Sequence, residues 1–372
     1  MKNRLNILLC ILVSYLLVAC GDDSNETSST LRVSKSNIDF AAAGGTLQIP
    51  FEGDKEITAI SGADWCRIVE ITHENFSIMV RPNTDYAGRA TRVTISDGTS
   101  TQVISVTQQG DIFAPEADKQ VMRLGNAATT VPIEINSSFG YTVAISSGTD
   151  WLTIEKINNG FSLSLAANET GAPRACIVRV KSDQDRIFDY TIYQYDIEDL
   201  LRNWSYGSLY SYWDDHIISD GLALVVSPVT ITANTEDENY TISIPLEKTL
   251  IGKAMRDPSK ATLRLQASYQ EGAFVISSLQ PQDDLIMDLE NNDGTTVTLY
   301  GATVTLSGGS FYSKGDIGIA PVLYGGQIFL SYNDVSTTPG EGDAFLTVGF
   351  FSDRELTDLQ DYILFPGLEI YK

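Results

Sequence analysis

The chain has 372 residues, of which 43% are hydrophobic and 9% aromatic, and a formal net charge of −23. That length holds two or three globular domains, and so acidic a chain repels nucleic acid and anionic surfaces, which excludes nucleic acid as a ligand and disfavours polyanionic glycans. The sequence is rich in Thr, Ser, Gly, Val, Ile and Tyr, and beyond its N-terminal segment no long stretch spaces apolar residues as a helix would, so the chain is predicted to be all-β.

Lys2 and Arg4 precede an apolar run, Leu5 to Ala19, that is shorter than the roughly 20 residues a membrane span requires. Residues 1–19 therefore read as a signal peptide. Leu17-Val18-Ala19-Cys20 then resembles a bacterial lipobox. The resemblance implies that Cys20 is lipidated, becomes the mature N-terminus and holds the protein to a membrane. Losing Lys2 and Arg4 with the signal moves the formal charge from −23 to −25. Gly21-Asp22-Asp23 resembles the surface-export signal of Bacteroidetes lipoproteins, which implies the outer membrane and its exterior face. Residues 20–30 form the lipidated Cys and a polar, flexible tether.

Residues 31–110 and 111–195 read as two copies of one domain. Ser61-Gly62-Ala63-Asp64-Trp65 returns as Ser147-Gly148-Thr149-Asp150-Trp151, Phe76 to Val80 as Phe161 to Leu165, Asn83 as Asn168 and Arg89 as Arg174. The period is too long for a solenoid and fits tandem domains. Within each copy, short alternating runs such as Val93-Thr94-Ile95 and Val103-Ile104-Ser105-Val106 are separated by Gly, Asn and Asp, which predicts a β-sandwich. Cys66 and Cys176 occupy non-equivalent positions in the two copies and read as buried small hydrophobes.

The first copy combines Gly44-Gly45, Asp64-Trp65, Arg89 and a closing Thr107-Gln108-Gln109-Gly110. In these residues it resembles the BACON family, an immunoglobulin-like sandwich of Bacteroidetes proteins often joined to carbohydrate-active domains. The second copy resembles it in part, with Gly125-Asn126-Ala127-Ala128 in the place of the glycine pair and Tyr193-Gln194-Tyr195 at its end. The resemblance implies a glycan partner, from polysaccharide or glycoprotein, and the company of other surface glycan-uptake proteins. It also admits a plain spacer role. Asp64 with Trp65, and Asp150 with Trp151, are secondary ligand candidates, because an indole stacks on a sugar ring and a carboxylate accepts from its hydroxyls. The competing reading weighs more: a single Trp per sandwich plugs the core, and the Asp caps a turn.

Residues 196–372 read as a β-rich domain, with strands at Trp204 to Trp213, Leu222 to Val226, Val229 to Ala233, Tyr240 to Pro245, Ala261 to Ser268, Ala273 to Ser277, Thr296 to Leu306, Ile317 to Leu323, Gly326 to Tyr332, Phe345 to Phe351 and Leu368 to Tyr371. Roughly eight to ten antiparallel strands with polar turns predict a barrel or a jelly roll. The leading Leu200-Leu201-Arg202-Asn203-Trp204 resembles the start of lipocalin-like lipoprotein domains, with Arg202 where those favour Gly. Period-two spacing puts Trp204, Tyr206, Tyr210 and Tyr212 on one face of one strand, as a sugar-stacking platform, a cavity wall or ordinary barrel interior. Asp214-Asp215, Glu236-Asp237-Glu238, Asp283-Asp284 and Asn292-Asp293-Gly294 read as solvated turns, and none has the spacing of a calcium loop.

The two histidines, His73 and His216, lie in no metal-ligand spacing, and there is no Gly-x-Ser-x-Gly elbow or phosphate loop. The sequence therefore leads to no cofactor and no metal, and to no enzyme unless the fold sets two of its 48 carboxylates facing each other across a cleft, which spacing does not reveal. The expectation is a surface lipoprotein that binds glycan without cleaving it, most readily through the C-terminal aromatics. The alternative is an adhesion or scaffold protein whose partner is another protein.

Overall fold

A computed structural model describes residues 30–145, 150–208, 210–213, 216–219, 225–234, 239–277, 279–290, 293–307, 310–312, 316–333, 345–357, 359–364 and 370–371. The chain divides after Asp111 into two compact units. Both are built almost wholly of strands. Among the described residues no helix is long and apolar enough to cross a membrane.

The first unit is a sandwich of eight strands: β1 (Arg32–Val33), β2 (Asn37–Phe40), β3 (Gly45–Glu52), β4 (Thr58–Ser61), β5 (Cys66–Ile71), β6 (Asn75–Val80), β7 (Arg89–Ser96) and β8 (Thr101–Gln108). One sheet has the order β1-β3-β6-β5 and the other β2-β8-β7-β4. Inward positions alternate along each strand, so Ile49, Phe76, Ile78, Val93, Ile95, Ile104 and Val106 meet between the sheets at 1% exposure or less. Gly44 (φ +70°) makes the approach to β3 possible, since a Cβ there would stand 2.2 Å from the Val80 carbonyl oxygen.

The second unit opens with the same architecture. Its strands are β9 (Phe113–Pro115), β10 (Val121–Leu124), β11 (Thr129–Ser137), β12 (Tyr141–Ile145), β13 (Leu152–Ile157), β14 (Gly160–Leu165), β15 (Arg174–Ser182) and β16 (Ile187–Gln194). The sheets run β9-β11-β14-β13 and β10-β16-β15-β12, strand for strand the order of the first sandwich. In both, one early strand pairs in parallel with the last strand: β2 with β8, and β10 with β16. Cys66 and Cys176 are free, buried thiols. Burial pushes the Cys176 thiol up to about 12, which keeps it protonated and inert.

The rest of the second unit combines a closed barrel with a second sheet. Trp204–Ser208, Val225–Asn234, Asn239–Pro245, Thr262–Gln270, Ala273–Ser277, Asp316–Tyr324, Gln327–Asn333 and Ile370–Tyr371 pair in turn and close on each other, all antiparallel. A second sheet runs His216–Ser219, Tyr210–Trp213, Leu359–Leu364, Phe345–Phe351, Thr296–Ser307, Pro281–Glu290, with Ser310–Tyr312 beside Thr296–Ser307. Leu285, Met287, Leu299, Val348 and Phe350 of this sheet share one core with Ile242, Leu263, Leu265, Phe274 and Ile319 of the barrel.

Two glutamines splice the sheet to the barrel. The Gln282 amide accepts from Arg264 N (2.8 Å) and donates to Arg264 O (2.9 Å). Gln280 does the same at Gln266, at 2.8 and 2.7 Å. Each side chain stands in for a peptide unit of a neighbouring strand and gives partners to main-chain groups of Thr262–Gln270 on the side where that strand has no ladder before Ala267.

Three strand expectations are corrected by the structure. Trp204 to Trp213 is two strands in two different sheets. Val225–Asn234 is one strand through Pro228, where two were expected. Pro281–Glu290 is a strand, so Asp283 and Asp284 are not in a turn. They sit where the register shifts between Gln282 and Ile286, a bulge that tolerates residues a regular ladder would not, and Asp284 is ion-paired with Arg264. Asp293 does serve a turn, accepting from Thr295 N at 2.9 Å. Residues 214–215 and 236–238 lie outside the described residues.

The second sandwich and the barrel have a common core. Tyr193 and Tyr195, at the end of β16, are 5% and 4% exposed and pack with Leu200, Trp204 and the barrel residues. Leu323 N donates to the Tyr193 hydroxyl (2.9 Å), and the Tyr195 hydroxyl donates to Gly272 O. Gly272 takes a φ of +82°, which L side chains rarely adopt, and a Cβ there would also crowd that hydroxyl, at 2.8 Å. Between the two, a single helical turn, Ile197–Leu200, is held by Asp199, whose carboxylate accepts from Asp196 N (3.0 Å) and from Asn126 Nδ2 (2.7 Å).

Candidate binding site

The residues that carry the repeat pattern form a bolt across each sandwich. Gln108, 2% exposed, donates to Ala42 O (2.9 Å) and Arg81 O (2.9 Å), and its amide oxygen accepts from Arg89 Nε (2.8 Å). Arg89 Nη2 donates to Arg81 O and Pro82 O, at 3.0 and 3.1 Å. Asn83, wholly buried, donates to Ala87 O (2.9 Å) and Gln109 O (3.0 Å). The second sandwich repeats the set: Arg174 Nε to Gln194 Oε1 (2.9 Å), Gln194 Nε2 to Ala166 O (3.1 Å), Asn168 Nδ2 to Ala172 O (2.9 Å). Buried amides with this many main-chain partners join strand ends that have no ladder of their own.

The two tryptophans belong to the same bolt. Trp65 and Trp151 are half-buried against the edges of their sandwich cores. The Arg89 guanidinium lies 4.6 Å from the Trp65 ring centroid, and that of Arg174 lies 4.4 Å from Trp151. One indole face is thereby taken by a fixed cation. Burial lowers the pKa of Arg174, opposed in part by the nearby Asp150. Asp64 and Asp150 are exposed. The turn before Trp65 is made by Ser61, whose hydroxyl accepts from Ala63 N (3.3 Å), not by the Asp64 side chain.

The proposed aromatic platform is not one strand face. Trp204 and Tyr206 lie on a barrel strand, Tyr210 and Tyr212 on a strand of the other sheet. Trp204 is 3% exposed, a core residue whose Nε1 donates to Leu200 O at 2.9 Å. The side chains of Tyr206, Tyr210 and Tyr212 lie outside the described residues, as does Cys20.

An open groove of 660 Å³ lies instead in the second sandwich, with Phe139, Tyr141, Lys156, Asn136, Asn158 and Asn159 along it. Its volume is that of a small-ligand site. Lys156 Nζ stands 6.0 Å from the Tyr141 ring. Glu116, also in the groove, is committed elsewhere: it accepts from Lys119 Nζ (2.8 Å) and Glu134 N (3.0 Å), and these bonds hold its carboxyl below the usual range. A smaller groove of 380 Å³ passes Arg202 and Trp204 beside Gly326 and Gln327. Sequence reasoning missed the larger groove. The available signal was the divergence between copies, since Tyr141 stands where the first has Ile57, and Asn158 and Asn159 where it has His73 and Glu74. Among the described residues no cluster of three His, Cys, Asp or Glu could hold a metal ion.

The fold class is all-β: immunoglobulin-like sandwiches followed by a barrel. The family model "BACON: Putative binding domain, N-terminal" matches residues 55–109, within the first sandwich. No curated protein sequence matches the chain. Among solved structures, an endo-fucoidan hydrolase of glycoside hydrolase family 107 is 15% identical over 46% of this chain and 29% of its own, with a TM-score of 0.24. A Bacteroides ovatus GH5 xyloglucanase in complex with a XXXG heptasaccharide is 23% identical over 26% of this chain and 27% of its own, with a TM-score of 0.20. A chimeric titin Z1Z2 is 9% identical over 45% of this chain and 98% of its own, with a TM-score of 0.29. The chain spans less than a third of the length of either hydrolase.

Proposed function

We propose that the protein is a non-catalytic glycan-binding lipoprotein, anchored through Cys20 at the outer membrane and facing the exterior. In this reading the first sandwich, which matches a family described as a binding domain, is chiefly a fold element and spacer. Its signature residues are consumed in the Arg89–Gln108–Asn83 bolt and leave little for a ligand. Binding falls to the unit made of the second sandwich and the barrel. The observation that carries the reading is the open groove where aromatic and amide side chains reach solvent together. Aromatic surface and side-chain amides are the groups that hold a sugar ring by stacking and by hydrogen bonds.

Glu116, Asp189 and Asp288 are committed to Lys119, Arg179 and Arg256 respectively, whose hydrogen bonds hold their carboxyls down. The test is an array of immobilised plant and host glycans probed with the full chain. Saturable binding without shortening of the glycan is expected. A folded protein that binds none of them, or that cleaves one, would overturn the proposal.

A further inference from the structure

The groove of the second sandwich is built around its β13–β14 hairpin. Gly160 (φ +153°) lets the hairpin lie so close to β11 that a Cβ would stand 1.9 Å from the Ile133 carbonyl oxygen. Ile135 N then donates to Asn159 O at 2.9 Å, which pins the hairpin tip beside the end of β11. Asn158 and Asn159 on the hairpin and Asn136 on β11 thereby share one groove with Phe139 and Tyr141. All three Asn residues are exposed, and their side-chain carboxamides bond to no other described residue. The two aromatic side chains are half-buried and present part of their surface, and Tyr141 packs against the sandwich core.

We infer that this groove is a subsite for a neutral oligosaccharide, with Asn158 and Asn159 reading its hydroxyls. The inference rests on the glycan-binding reading above and specifies where and what the protein binds. A carboxamide holds a donor and an acceptor side by side, which matches the donor and acceptor of two neighbouring sugar hydroxyls. Phe139 and Tyr141 supply apolar surface for the C–H face of the ring. Lys156 is the groove's one ammonium group, set against a chain of net charge −23, and a sulfated or carboxylated glycan would meet more repulsion than attraction. The first sandwich carries Ile57, His73 and Glu74 at the matching positions, and Ile57 is buried in its core. The amide and aromatic set is therefore peculiar to the second copy.

The experiment measures binding of short cello-, manno- and xylo-oligosaccharides to the full chain by calorimetry. Variants are Tyr141→Ala, the pair Asn158→Ala with Asn159→Ala, and, in the first sandwich, His73→Ala with Glu74→Ala. The full chain should bind at least one series, and each groove variant should weaken it about tenfold or more, the loss of about 1.4 kcal/mol. The first-sandwich pair should leave binding unchanged. The Asn pair lies on an exposed hairpin tip and keeps the test sound if loss of Tyr141 disturbs folding. Unaltered affinity in the folded Asn pair would overturn the subsite while leaving glycan binding intact. A full chain that binds glycans on an array but none of these neutral oligosaccharides would overturn the ligand class. Silence from the full chain on both would sink the glycan reading as well.

Discussion

The two sandwiches share a strand order and a bolt, and they differ at their C-terminal ends. In the first, β8 closes on Thr107 and Gln108, followed by Gln109; in the second, β16 closes on Tyr193 and Gln194, followed by Tyr195. The central glutamine keeps its role in both. The flanking residues, which point to the opposite side of the strand, change from Thr107 and Gln109, half-buried and exposed, to two phenols buried against the barrel. Likewise buried Ala42 becomes Asn126, which bonds to Asn168 (3.0 Å) and to Asp199 in the helical turn that leads to the barrel. The lesson is that a strand's inward residues define the fold while its outward residues choose whether that fold ends or continues into another.

The largest effect should come from restoring the first copy's residues in the second. Tyr193→Thr with Tyr195→Gln removes two aromatics from the shared core, where each such loss costs about 3–5 kcal/mol. The second sandwich and the barrel should then melt in two steps where the parent melts in one, which calorimetry would resolve. One sharp transition in the variant would mean the phenols do not couple them. A middle-sized effect is expected for Gln108→Ala and Gln194→Ala. Each strands buried carbonyls and an arginine, at about 1–3 kcal/mol. Because the bonds are the same, urea midpoints should fall by similar amounts in the two units. A large inequality would show that the bolts, though alike in geometry, do unlike work.

The smallest effect should come with acid. The Arg179–Asp189 pair of the second sandwich stands where the first has Thr94 and Val103. Hydrogen bonding to Arg179 lowers the Asp189 pKa, and Lys119 lowers that of Glu116. A carboxyl whose folded pKa is depressed stabilises fully above its unfolded value, about 4, and that contribution fades as pH falls through the folded value. The unit beginning at Ile112 should therefore weaken below about pH 4, and Asp189→Asn should flatten part of that slope at the modest scale of exposed pairs.

The repeat was legible because its pattern residues have fixed partners. Asn83, Arg89 and Gln108 each bond to groups on a distant or neighbouring segment of the chain, so their types and spacing return together in the second copy. The all-β class was legible from alternation and turns, which admitted a barrel or a jelly roll and did not reveal the second sheet. Other features were not. Asp283-Asp284 reads as a turn because Asp is poor in ladders, and only the bulge explains why a strand tolerates the pair. Trp204 to Trp213 alternates as one strand should, and nothing in that alternation marks the change of sheet. Trp204 looked like a ligand residue for its type, whereas its indole N–H is satisfied inside the core by Leu200. The groove escaped notice because Asn158-Asn159-Gly160 has the composition of any hairpin tip.

The parallel pairing of an early strand with the last strand has a mechanical consequence. Behind the short β1, β2 lies alongside β8 from Asn37–Ser105 to Phe40–Gln108; behind β9, β10 lies alongside β16 from Val121–Thr191 to Leu124–Gln194. Tension applied at the two ends of either sandwich drags these strands past each other along their length. Their hydrogen bonds are then loaded in shear and must fail together, whereas a hairpin pulled open at its mouth surrenders them one by one. Each sandwich is thus arranged to withstand stretching along the chain.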